Sequence, residues 1–243
     1  MKTIDLNCDV GEGMGNESRL MPFLSSCNIS CGLHAGDDAT IREVIDLALQ
    51  HHVAIGAHPS FDDRVHFGRR EMHLPAQELF LLVQGQVIDL AEKVRAEGGK
   101  MTYVKPHGAL YNMAARSAEM SHAIIDAIRK VNPSLKFMGL AESEMAKASV
   151  GRIGFIAEGF ADRRYSTSIS LVPRDQGGLL TDFDKIEKQL TQLLTEQIIE
   201  TEKGLQPLTI QSLCLHGDTP GAELMISRIR DLVISLGYEI KAA

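Results

Sequence analysis

The chain has 243 residues, a net charge of −7 from 25 Lys and Arg against 32 Asp and Glu, and a hydrophobic content of 44%. A barrel of alternating strands and helices needs about 250 residues, so a single domain over residues 1–243 is expected. The acidic balance argues against nonspecific nucleic-acid binding, which neutralises phosphates with clustered cations, although a nucleotide needs only a few of them.

Short apolar runs alternate with longer stretches of helical period. Thr3–Cys8 predicts the first strand, where Asp5, Asn7 and Asp9 alternate with Leu6 and Cys8 and so share one face. Three polar groups in an apolar strand cost desolvation energy unless they meet partners, a metal or a substrate. Glu12 then complements the positive N-terminus of the following helix. Ser26–Ser30 predicts the second strand, Asp37 or Asp38 caps a helix reaching about His51, and Val53–Ala57 predicts the third strand. His58–Leu74 is too polar for core and is expected as a lid, with turns at Asp62-Asp63 and a solvated charge pair, Arg69-Arg70, which on a lid could meet an anion. Pro75 opens a helix that Gly98-Gly99 ends, with Leu79, Leu82, Val83, Val87, Leu90, Ala91 and Val94 on its buried face. Thr102–Lys105, Lys136–Gly139 and Ile153–Glu158 predict three more strands, followed by a second lid-like stretch, Gly159–Asp182. Ile186, Leu190, Leu193, Leu194 and Ile198 mark a helix face before a Glu200–Pro207 loop. Ser212–Leu215 predicts the seventh strand, Thr219-Pro220 opens the last helix, and Tyr238–Ile240 is a short eighth strand. The alternation implies a parallel sheet with right-handed crossovers; pattern alone does not choose between an open sheet and a closed barrel.

Cys8, Cys27, Cys31 and Cys214 form no C-x-x-C pair and lie in or beside apolar runs, as reduced thiols of a cytoplasmic protein do. Asp5 falls where a signal peptide needs an apolar core, and no apolar stretch reaches the ~20 residues of a membrane span.

The placement of the histidines carries the functional signal. Of nine, His34, His58, His107 and His216 each directly follow a predicted strand. In parallel α/β folds such positions converge on the rim where active sites sit. Asp37, Lys105, Glu158, Asp162, Arg163, Arg174 and Asp218 fall at the same ends. His51, His52, His66, His73 and His122 are expected to be structural. Imidazole with carboxylate from several strands is compatible with a divalent cation, the candidates being Asp9, His34, His58 and His107, although no H-E-x-x-H spacing occurs. Neither G-x-x-x-x-G-K-[ST] nor G-x-G-x-x-G after a strand occurs, so any ATP binds without a P-loop.

Eight ordered blocks resemble the LamB/YcsF family, the A subunits of 5-oxoprolinase. They are Asp5–Glu12, Asn28–Asp37, Gly56–Ser60, Phe67–Arg70, Val104–Asn112, Glu158–Arg163, Leu171–Arg174 and Cys214–Asp218. Departures are small: Ser30 stands where Ala is usual and Asp62 where Pro is common. The resemblance implies a seven-stranded β/α barrel similar to the glycoside hydrolase and polysaccharide deacetylase superfamily. It also implies ATP-dependent hydrolysis of the lactam 5-oxo-L-proline to L-glutamate, together with the B and C subunits of 5-oxoprolinase. On that basis Lys105, Arg163 and Arg174 are expected to hold phosphate and carboxylate groups. Asp9 or Glu158 would activate water, and His58 or His107 would shuttle protons. Asp5, Asn7, His34, Asp37, Asp162, His216 and Asp218 would orient substrate or a metal. Two alternatives stay open: a metal-dependent amide hydrolase like the sugar deacetylases, and a non-catalytic subunit that binds 5-oxoproline.

Overall fold

A computed structural model describes residues 2–243. In chain order the elements are β1 (Lys2–Val10), α1 (Glu17–Leu20), β2 (Ser26–Ser30), α2 (Asp38–Gln50), β3 (Ala54–His58), α3 (Ala76–Ala96) and β4 (Met101–Val104). There follow α4 (Gly108–Ala114), α5 (Ala118–Val131), β5 (Lys136–Leu140), α6 (Glu144–Ser149), β6 (Phe155–Phe160), β7 (Tyr165–Thr167) and β8 (Ser170–Leu171). The chain ends with α7 (Phe183–Glu196), β9 (Ile198–Thr201), β10 (Gly204–Pro207), β11 (Ser212–His216), α8 (Ala222–Ser235) and β12 (Tyr238–Ile240).

Strands β1 to β6 pair in sequence, β6 pairs with β11, and β11 returns to β1, so seven parallel strands close into a barrel. Closure is a five-residue register between β1 and β11 that runs from Asp5 opposite Ser212 to Asp9 opposite His216. The eighth predicted strand, β12, does not enter the barrel. It pairs with Lys2–Ile4, the part of β1 that projects below the closing register. Helices cover the outside, where α3 buries Leu79, Val83, Val87, Leu90 and Val94 as its period demands. Among the described residues no helix is long and apolar enough to cross a membrane.

Two local expectations change. The helix predicted through Ile198 stops at Glu196, because Gln197 takes a left-handed conformation (φ 57°) and turns the chain into β9. The stretch expected as the Glu200–Pro207 loop is therefore the β9–β10 hairpin, which with β7 and β8 forms a four-stranded side sheet. Its strands are two to four residues long, too short for a periodicity to register.

The barrel interior is divided. Toward β4–β6 it is apolar, filled by Tyr103, Met138 and Ile156. Gly56 makes room for the Tyr103 ring, since a Cβ there would lie 2.2 Å from Cε2. The phenol crosses the barrel to donate to Asn28 Oδ1 at 2.7 Å. Toward β1, β2 and β11 the interior is polar, and this half builds the site.

Candidate active site

Alternation along β1 turns Asp5, Asn7 and Asp9 inward, but at three depths. At the bottom the Asp5 carboxylate accepts from Ser25 (2.6 Å), Ser26 (2.8 Å) and Ser212 (2.5 Å). Burial raises its pKa in spite of these hydroxyls. One level up, Asn7 Nδ2 donates to Ser212 Oγ (2.7 Å) and Glu158 Oε1 (3.1 Å), and its Oδ1 accepts from Asn28 (2.7 Å). Lys105 crosses this level to Glu158 Oε1 (2.8 Å) and Asp9 Oδ1 (2.9 Å). Burial works against that ammonium, but Asp9, Cys214 and Glu158 outweigh it and raise the pKa well above the usual lysine value.

These contacts correct four expectations. Asp5, Asn7, Lys105 and Glu158 are buried beneath the rim and none lines the cavity above it. Lys105 is held between two carboxylates and is not free to meet a phosphate. Asp37 is corrected as well: it is exposed and caps α2, accepting from Thr40 N at 2.8 Å, and it takes no part in the site.

The top level is the rim. Asp9 Oδ1 is occupied by Lys105 and by Asn28 Nδ2 (2.8 Å), which leaves Oδ2 facing His58 Nε2 at 3.4 Å and His216 Nε2 at 4.0 Å. Burial alone would raise the Asp9 pKa, but the neighbouring His58 and the Lys105 ammonium prevail and hold it well below the carboxylate range. His58 Nδ1 lies 2.7 Å from Lys105 O, and His107 Nε2 lies 2.9 Å from Phe67 O. A carbonyl oxygen only accepts, so each of those nitrogens carries the proton. His34 stacks on His107 with ring centroids 3.8 Å apart and meets Glu12 Oε1 through Nε2 at 3.0 Å. Burial, with His58 nearby, lowers its pKa to about 2, which makes it a neutral donor to Glu12.

On the other side of Asp9, His216 Nδ1 is 2.9 Å from Asp162 Oδ1, and Thr219 donates to Asp162 Oδ2 at 2.6 Å. Burial pushes the Asp162 pKa up, yet His216 and Thr219 together keep it below its ordinary value. With its Nδ1 proton on Asp162, His216 presents the Nε2 lone pair to the cavity. Imidazole oriented by a buried carboxylate is a general-base arrangement.

Above the rim lies a cavity of about 450 Å³. Asp9, His107 and His216 contribute to its floor, and Arg69, Arg163 and Arg174 to its wall. Both stretches expected as lids border it, one through Arg69 and Glu71, the other through Arg163 and residues 169–171 and 173–175. Asp218 sits behind the wall and clamps it, accepting from Arg69 (2.5 Å) and Arg174 (3.1 Å). Among the described residues Arg163 has no carboxylate partner within ion-pair distance: Nη2 donates to Val172 O (2.8 Å) and Nε to Gly178 O (3.3 Å). Burial and the nearby Arg174 lower its pKa to about 10, so it stays cationic.

Of the fourteen residues predicted for the site, Asp9, His107, Arg163, Arg174 and His216 line the cavity. His34, His58, Asp162 and Asp218 pack directly behind them. Glu12, expected as a helix-end charge, is instead buried at the centre of the rim, 3.4 Å from His107 Nδ1. Its place in a Gly-flanked turn three residues past Asp9 suits an inward side chain and a helix-end charge equally. Asp9, Glu12, His58 and His107 bring their donor atoms within 4.8 Å of one another; His34, expected beside Asp9, His58 and His107, lies outside this group and bonds Glu12.

The same arrangement of chain is shared by known proteins. The 5-oxoprolinase A subunit of Bacillus cereus (strain AH187) is 44% identical over 238 residues, covering 94% of each chain. The protein of the same name from Brevibacillus brevis is 43% identical over 251 residues, covering 100% of this chain and 98% of its own. The crystal structure of a lactam utilization protein from Thermus thermophilus superposes with a TM-score of 0.91 at 34% identity, each chain covered completely. A family 4 carbohydrate esterase from Streptomyces lividans (TM-score 0.54, 9% identity, 98% and 91% covered) shares the fold alone. The LamB/YcsF family model matches residues 4–243, and the chain belongs to that family.

Proposed function

We propose that this chain is the A subunit of a cytoplasmic, ATP-dependent 5-oxoprolinase, acting with the B and C subunits to open 5-oxo-L-proline to L-glutamate. The observation that carries the proposal is one cavity with a carboxylate and imidazole floor facing a wall of arginines. A small lactam with a carboxylate, and a phosphate donor, need both halves. Relatives named as subunits of this enzyme support the same reading.

A lactam carbonyl is a poor electrophile. Transfer of the γ-phosphoryl group of ATP to the amide oxygen releases ADP and makes the ring carbon susceptible to water. Water adds there as His216 Nε2 takes its proton, with Asp162 fixing the imidazole. The C–N bond then breaks with its electron pair going to nitrogen, which is protonated. The resulting acyl phosphate is hydrolysed to glutamate and phosphate. Arg163 meets the substrate carboxylate, because among the described residues it is the wall cation without a carboxylate partner, and Arg69 and Arg174 face the phosphates.

Purified A, B and C subunits are mixed, each is omitted in turn, and ADP and glutamate are measured. Full turnover without this chain would refute the proposal. Arg163→Gln is expected to raise KM for 5-oxoproline about 10- to 100-fold, the equivalent of a charged hydrogen bond of ~1.5–3 kcal/mol. His216→Asn is expected to lower kcat by roughly 100-fold or more with little change in KM. Lactam binding that survives while His216 and Asp9 prove dispensable in the full complex would select a non-catalytic binding subunit. Turnover without ATP would select a metal-dependent amide hydrolase.

A further inference from the structure

The rim poses an electrostatic problem that its own side chains leave open. His58 carries its proton on Nδ1, bonded to Lys105 O, and His107 carries its proton on Nε2, bonded to Phe67 O. The remaining ring nitrogens, His58 Nε2 and His107 Nδ1, both present lone pairs, yet they face each other at 3.0 Å. Asp9 Oδ2 faces the first at 3.4 Å and Glu12 Oε1 the second at 3.4 Å. Two imidazole lone pairs and two carboxyl oxygens thus converge, and among the described residues the one full cation in contact with this group is Lys105, on the outer oxygen of Asp9. Buried acceptors that confront one another repel unless something positive lies between them.

The geometry points to a divalent transition-metal site of the zinc class, formed by Asp9, Glu12, His58 and His107. A tetrahedral ion with bonds of about 2.0–2.1 Å has ligand atoms roughly 3.3–3.4 Å apart, which matches the 3.0, 3.4 and 3.4 Å separations. The donor set is of the zinc kind, mixed imidazole and carboxylate from three separate segments, the ends of β1, β3 and β4. Each ligand also has a second partner that orients it: carbonyls for His58 and His107, Lys105 and Asn28 for Asp9, and for Glu12 His34, on the same oxygen that faces His107. Such outer bonds fix the orientation of metal-binding imidazoles and carboxylates. The main chain is bent to supply one of them: Phe67 takes φ 55°, costly for a bulky residue, and its carbonyl meets His107. Gly68 follows with a positive φ, where a Cβ would lie 2.9 Å from both His34 and His107. An ion held by this set supplies a Lewis acid at the cavity floor.

Protein freed of metal by a chelator is titrated with zinc chloride by calorimetry, and separately with Co²⁺ followed by visible absorption. One zinc per chain and the intense visible bands of four-coordinate Co²⁺ are expected. Glu12→Gln and His107→Asn should each weaken zinc binding roughly tenfold or more, while His73→Gln, in an exposed loop, should leave it unchanged. Circular dichroism and thermal unfolding establish that each variant is folded. Absence of stoichiometric uptake by the wild type overturns the assignment, as does uptake unaltered in both ligand variants. Nitrogen NMR showing His58 as an imidazolium at neutral pH, with no metal taken up, would identify a proton as the bridging cation and overturn it equally. Zinc binding by a chain that does not support lactam turnover leaves the metal site standing, so the two proposals fail separately.

Discussion

At the level of single residues, proton positions decide the chemistry, and buried neighbours decide proton positions. Asp162 is the clearest case, because its pKa is held below the usual carboxylate value although burial opposes this. Between the lowered folded value and the unfolded value near 3.9, the unfolded chain binds more protons than the folded one. Stability from this group is therefore complete above about pH 5 and lost as pH falls through the folded pKa. Asp162→Asn should remove that part of the acid dependence and cost roughly 1–3 kcal/mol at neutral pH, read from urea midpoints across the acid range. An unchanged acid profile would show that Asp162 and His216 are not coupled. His34, His58, His107 and His216 are legible as a set because each directly follows a strand. Glu12 is not, since an acidic residue before a helix reads equally well as a complement to the helix dipole.

At the level of elements, the wall of the cavity depends on a segment with little regular structure. Arg163 and Arg164 hold it through Val172 O and Gly178 O, and Gly178 N returns to Pro173 O at 3.0 Å. A Cβ on Gly178 would lie 2.0 Å from Val172 O and 2.6 Å from Pro173 O, both main-chain atoms unable to rotate away. Gly178→Ala should therefore displace Arg174 and the grip on Arg163 and raise KM at least several-fold. The barrel does not rest on this segment, so the thermal midpoint should move little. A wild-type KM would show that the wall does not hold substrate. A second element acts from outside the rim: Gln86, on α3, accepts from Ser60 N (3.0 Å) and donates to Ser60 O (2.9 Å), fixing the loop that follows His58. Apolar strands and amphipathic helices announce themselves through period. The side sheet does not, because its strands are short and sit in polar sequence.

At the level of the whole molecule, barrel closure sets the depth of every inward side chain. Asp5 and Asp9 are four residues apart on one strand, about 13 Å, so one belongs to the base and the other to the rim. Asp5 gathers hydroxyls from β2, β11 and the residue before β2, tying the first and last barrel strands together. Asp5→Ala leaves those hydroxyls without their acceptor and should cost roughly 1–3 kcal/mol, measured by denaturant unfolding. Turnover per folded molecule should persist, because Asp5 does not line the cavity. Loss of turnover at full stability would return Asp5 to the site.

What the amino-acid order determined by itself was the alternation of strands and helices and the gathering of ionisable groups past the strand ends. Both follow from short-range rules: side-chain period, desolvation of polar groups, and turn chemistry. Whether the sheet closes, and which inward residue lies at which level, depends on pairing between strands some 200 residues apart, as in Asp5 opposite Ser212. Only that pairing separates Asp9 from Asp5 and Asn7, and only the folding of two loops over the rim brings Glu12 and Arg69 to the same site.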